Sequence, residues 1–148
     1  GSGRYERVLA LDYSEEMLKE TSRRFSAQGL STDRLTLVRA DAAMLPLQTD
    51  SIDALHAGAA MHCWPRLEQS LEEVKRVLRP GGRFFATTFY EGALPGQQAQ
   101  MQQPGSGSMR FFKDESELTE LLVRAGFDAS LVDVRREGRA CAIVRAEV

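Results

Sequence analysis

Four apolar residues in an unbroken run, Val8-Leu9-Ala10-Leu11, lead directly into Asp12, Tyr13 and Ser14. Such a run, closed by an acid and a helix-starting residue, is the pattern of a buried parallel strand. It delivers one carboxylate to the carboxyl edge of a sheet. Ligands of open α/β sheets sit at that edge. A carboxylate there has acceptors only and can take both hydroxyls of a nucleoside ribose. The same acid can equally cap the helix that follows, and this stretch leaves both roles open.

The pattern then repeats. Ser14 predicts an N-cap, with Glu15 and Glu16 in a first turn whose dipole favours negative charge. Met17, Leu18, Thr21 and Phe25 share one face of a helix over 15–28, and Gly29 is its stop. Met17 and Leu18 read as core, with Met17 one turn from Asp12 and within reach of a ligand. Leu35 to Ala40 predicts a second strand, again followed by an acid, Asp41. Two strands each ending in an acid favour a site over two unrelated caps. Asp41 suits an exocyclic amine of adenine; its alternative is to cap the turn before Leu45-Pro46-Leu47.

Ile52 to Ala57 predicts a third strand, entering Gly58-Ala59-Ala60-Met61-His62-Cys63-Trp64-Pro65. The small residues leave room for a ligand against the backbone. His62 titrates near neutral pH and is the candidate for moving a proton, or else a loop histidine bonded to backbone. Pro65 opens a helix with a stripe of Leu67, Leu71, Val74 and Leu78 and a Glu72–Arg76 pair. Pro80-Gly81-Gly82 ends it, and Arg83 to Phe89 is a strand rich in Phe and Thr. Residues 91–108 are Gly, Pro, Gln and Ser without period, a loop that is either a lid or a surface insertion. Asp114 with Glu117 predicts a capping box. Leu131 to Val134 and Ala140 to Val148 predict an antiparallel hairpin around Glu137-Gly138.

At 148 residues with 43% hydrophobic content, the chain is large enough for one domain with its own core. A net charge of −2 offers no basic excess for nucleic acid. No apolar run would span a membrane. Cys63 and Cys141 have no metal-like spacing and read as free thiols, and no metal is expected.

Together these segments resemble the class I S-adenosylmethionine-dependent methyltransferases, in the ubiquinone/menaquinone C-methyltransferase-like branch. The carrying residues are Leu11 to Leu18, Arg39-Ala40-Asp41-Ala42, Leu45-Pro46-Leu47 and Val77 to Gly82, in the right order. His56 to Pro65 looks like the plastid-type plant and algal members. The resemblance implies a Rossmann-like α/β sheet, mostly parallel, with a C-terminal antiparallel hairpin. It implies S-adenosyl-L-methionine as cofactor: Asp12 at the ribose, Tyr13 and Met17 flanking the adenine, Asp41 and Ala42 at its edge, and Ala57 and Gly58 beside the methionyl portion. The methyl group would pass to a small-molecule acceptor such as a prenylated quinol or plastid lipid, with His62 as proton acceptor and Tyr90 behind it. A chloroplast location follows from the resemblance alone.

In that family a first strand and a GxGxG-type loop precede the Asp12 strand, and neither is in this sequence. The chain therefore reads as one methyltransferase domain, 1–148, incomplete at its N-terminus and lacking the first strand. By itself it is expected to bind the cofactor poorly and to be inactive. Strand edges left unpaired would favour self-association. Two other classes compete. One is a non-catalytic remnant acting as an interaction domain. The other, ranked last, is a nicotinamide-dependent oxidoreductase.

Overall fold

A computed structural model describes residues 5–29, 32–92 and 109–148. The chain divides into two compact units, one up to Pro46 and one from Leu47 onward.

In the first unit, β1 (Val8–Asp12) and β2 (Leu35–Arg39) are parallel, in register from Val8 opposite Leu35 to Asp12 opposite Arg39. Parallel neighbours need a crossover, and α1 (Glu15–Ala27) supplies it. Ser14 Oγ accepts the Met17 N–H at 3.3 Å, the expected cap. Arg23 and Arg24 both bond Glu20, each at 2.7 Å, and hold its carboxyl down to about 2. Leu18 is buried, but Met17 is 54% exposed and is not core. Neighbouring helical residues point about 100° apart, so the two cannot both face the strands.

In the second unit, β3 (Ile52–Gly58), β4 (Leu78–Phe89), β6 (Cys141–Glu147) and β5 (Val132–Glu137) form one sheet in that order. The β3–β4 pair is parallel; β4–β6 and β5–β6 are antiparallel. The predicted hairpin is therefore present, turning at Gly138, whose φ of +61° suits glycine. The core lies between this sheet and two helices, α2 (Leu67–Val77) and α3 (Glu115–Arg124). Leu67, Leu71, Val74, Leu118, Leu121 and Leu122 meet Phe84, Ala86, Ala142 and Val144, all buried.

Three local expectations change. Helix α2 ends at Val77, and β4 begins at once with Leu78 opposite Ile52. The Pro80-Gly81-Gly82 turn is instead looped out inside the strand, so that Arg83 comes opposite Ala54. Gly81 there has φ +75°, and a Cβ on Gly82 would lie 2.7 Å from the Arg79 carbonyl oxygen. Arg76 pairs with Glu73 at 2.6 Å rather than with Glu72, because it also reaches the Leu47 carbonyl at 2.9 Å. Asp114 caps the Glu117 N–H at 2.9 Å, but the Glu117 carboxylate reaches back to the Lys113 N–H at 2.8 Å, one residue before the cap. Both cysteines are free. Among the described residues no helix is long and apolar enough to cross a membrane. The predicted 91–108 loop lies outside the described residues from 93 onward.

Candidate functional site

The first unit carries a groove of about 450 Å³ lined by Tyr13, Arg39, Ala40, Asp41, Met44 and Pro46. It opens where β1 and β2 end, because parallel strands release their chains on the same side. Asp12, the last residue of β1, accepts the Ser14 N–H on Oδ1 at 2.8 Å. That bond is an Asx turn leading into the helix, whose cap is Ser14 and not Asp12. It occupies one oxygen and leaves Oδ2 without a protein partner among the described residues. Asp41 likewise works locally: Oδ1 accepts the Ala43 N–H at 2.9 Å, and its carbonyl accepts the Met44 N–H at 3.0 Å. These bonds fold residues 41–44, Ala42 included, into a tight turn. The turn buries Ala43 and leaves Met44 72% exposed on the groove. Tyr13 is 70% exposed. An exposed aromatic ring, an exposed thioether and a carboxylate around one groove suit a flat, polar-edged ring. Of the predicted residues, Tyr13 and Asp41 line the groove; Asp12 and Ala42 adjoin those two in the chain, and Met17 lies in the first turn of α1.

In the second unit, Ala57 is buried and Gly58 closes β3 exposed to solvent. A Cβ on Gly58 would meet the His56 ring at 3.2 Å. Next, Ala59 takes φ +49°, a left-handed conformation that costs a non-glycine residue energy. The Thr87 hydroxyl accepts the Ala59 N–H at 2.9 Å and holds it there.

His62 lies in the single helical turn Met61–Cys63 and is only 7% exposed. Its ring stacks on Phe111 at 5.8 Å and meets the edge of Phe89 at 5.0 Å. Nδ1 is 3.4 Å from Thr88 Oγ1. Burial pushes its pKa down, so the imidazole is held neutral, the form that can accept a proton. Tyr90 is buried too, with the Arg136 guanidinium 3.6 Å from its ring centroid. Burial, then the Glu115 charge, push its phenol up to about 12, so at neutral pH Tyr90 is a hydrogen-bond donor.

Arg39, Ala40, Met44 and Pro46 line the groove, and Thr87 holds the β3 exit, none of them among the site residues expected from sequence. Arg39 had a signal, a charged residue directly before the Ala40-Asp41 segment. Met44 had none, because its exposure follows from the Asp41 turn.

Comparisons with known proteins bear on family and fold. A chloroplastic methyltransferase of Arabidopsis thaliana, itself uncharacterised, is 42% identical over 129 residues, which are 80% of this chain and 36% of that protein. The ubiquinone/menaquinone biosynthesis C-methyltransferase UbiE of Brucella canis is 38% identical over 94 residues, 64% of this chain and 35% of its own. The chain thus spans about a third of the length of these two relatives. A SAM-dependent methyltransferase from Aquifex aeolicus covers 99% of this chain and 71% of its own with a TM-score of 0.74. At 22% identity that likeness is one of fold, the Rossmann-like α/β fold expected from the sequence. A methyltransferase-domain family model matches residues 2–86, more than half of the sequence, and the chain belongs to that family.

Proposed function

We propose that the chain is an S-adenosylmethionine-dependent methyltransferase domain acting on a small-molecule acceptor. One observation carries this: the groove at the shared carboxyl ends of β1 and β2, where each strand delivers an acid. The residues in and beside it fit the nucleoside end of that cofactor. Asp12 accepts the ribose hydroxyls on Oδ2. Tyr13 and Met17 flank the adenine, and Asp41 with Ala42 meets its edge. In the second unit, Ala57 and Gly58 are assigned by family resemblance to the methionyl portion. The bound cofactor supplies a methyl group on a sulfonium, ready for in-line displacement. The chain's own residues contribute positioning and exclusion of water. His62 takes the acceptor's proton when one must leave, a role favoured by its neutral, buried imidazole.

The acceptor we propose is a prenylated quinol or related plastid lipid, in a chloroplast. This rests on the Brucella and Arabidopsis relatives' names. The two compact units are read as parts of one domain, since the family match runs from residue 2 to 86, across their boundary. The far edges of β1 and β3 have no strand partner among the described residues, and we assign self-association to them.

The test is calorimetric titration of the intact protein, rather than of this chain alone, with S-adenosylhomocysteine and, separately, with NAD. Binding of the first alone, lost in Asp12→Ala, supports the proposal. Binding of NAD, or of neither, refutes it.

A further inference from the structure

We propose that Arg39 is a positioning residue for the bound nucleoside, acting through Tyr13. It clamps that residue so that its ring presents a fixed face to the groove. The proposal rests on reading the groove as the nucleoside site.

Tyr13 is the first residue beyond β1 and is 70% exposed. Nothing in its own strand holds such a side chain in one rotamer. A stacking platform that must be ordered on binding costs affinity. Arg39 is the last residue of β2 and stands directly opposite Asp12 in the parallel ladder. From there its Nε donates to the Tyr13 carbonyl at 3.1 Å, while its guanidinium carbon lies 5.6 Å from the Tyr13 ring centroid. One side chain thus grips both the backbone and the ring of Tyr13. Only a planar fork can do this, since a lysine ammonium offers no Nε donor and no flat face.

Among the described residues the guanidinium has no competing duty. Arg23, Arg24, Arg76 and Arg79 each sit in an ion pair. Arg39 makes none among the described residues. Both members of the clamp line the same groove beside Asp41.

The experiment is a double-mutant cycle on S-adenosylhomocysteine affinity in the intact protein: Arg39→Met, Arg39→Lys, Tyr13→Ala and the Arg39→Met/Tyr13→Ala pair. Thermal melts provide the folding control. If Arg39 acts through Tyr13, Arg39→Met weakens binding about fivefold, as expected for one side chain left to be ordered on binding. Arg39→Lys does not rescue it. Once Tyr13 is alanine, Arg39→Met costs nothing further, a coupling that a merely structural arginine would not produce. Losses that multiply independently, full rescue by lysine, or no loss at all would overturn the proposal. A wild-type protein that does not bind S-adenosylhomocysteine would instead remove the nucleoside-site reading, and the Arg39 role with it.

Discussion

Asp41 holds a turn and, in the proposed site, meets the adenine edge; replacing it by asparagine or by alanine separates the two roles. Its Oδ1 accepts the Ala43 N–H at 2.9 Å and holds the turn that shapes one wall of the groove. Asparagine keeps a carbonyl oxygen for that N–H, while alanine does not. Asp41→Ala should therefore lose one half-buried hydrogen bond, about 1 kcal/mol of stability, and melt about 3 °C lower. Asp41→Asn, which keeps that bond, should melt above Asp41→Ala. Ligand affinity should sort differently. Once the asparagine's amide oxygen is committed to the turn, its NH2 faces the adenine amine, donor against donor. Both variants should lose a charge-assisted bond of about 1.5–3 kcal/mol, so S-adenosylhomocysteine binding weakens roughly 10- to 100-fold in each. Calorimetry and thermal melts on the same samples read the two effects. An Asp41→Asn protein that binds as tightly as wild type would confine Asp41 to the turn.

Three further outcomes are expected. Because burial lowers the His62 pKa below the ordinary 6.5, the unfolded chain binds that proton first as pH falls. The contribution is complete above about pH 6.5 and is lost toward the native pKa, at a slope of at most ~1.4 kcal/mol per pH unit. Chemical denaturation from about pH 8 to about pH 5 should show this slope in wild type and not in His62→Phe, and equal slopes would place His62 in water. Ala59→Gly should relieve the left-handed strain at φ +49° and raise stability by about 0.5–1 kcal/mol, whereas a lower melting point would mean the conformation is unstrained. Leu121→Ala, at a fully buried position of α3, should cost about 2–5 kcal/mol in denaturant melts; a loss under about 1 kcal/mol would contradict the packing described.

Much of the fold was legible because strand and helix signals here are local. The run Val8 to Leu11, the Ser14 cap and the Glu137-Gly138 turn each state their structure within a few residues. The failures came where a distant group decides. Arg76 chose Glu73 over Glu72 because of the Leu47 carbonyl. The glycine pair after Pro80 bulges inside β4 instead of preceding it, and Val148 ties the bulge down: Gly81 donates to the Val148 carbonyl and the Val148 N–H returns to Gly82 at 3.0 Å.

The same division runs through the site. Sequence alone determined that one strand ends in Asp12 and that Asp41 follows another, since residue order and hydrophobic period are enough to put an acid after a strand; it overstated the strands' burial, because no residue of β1 or β2 is buried in the first unit. It could not distinguish a capping acid from a binding one. In the folded chain one Asp12 oxygen accepts the Ser14 N–H and the other has no protein partner among the described residues. Tertiary structure alone set Arg39 over Tyr13, and alone made His62 a buried, neutral imidazole between two phenylalanines. Those properties depend on which strands lie side by side and on how much water the packing excludes. Neither is a function of neighbours in sequence: Arg39 lies 26 residues from the carbonyl it holds, and His62 26 residues from Thr88.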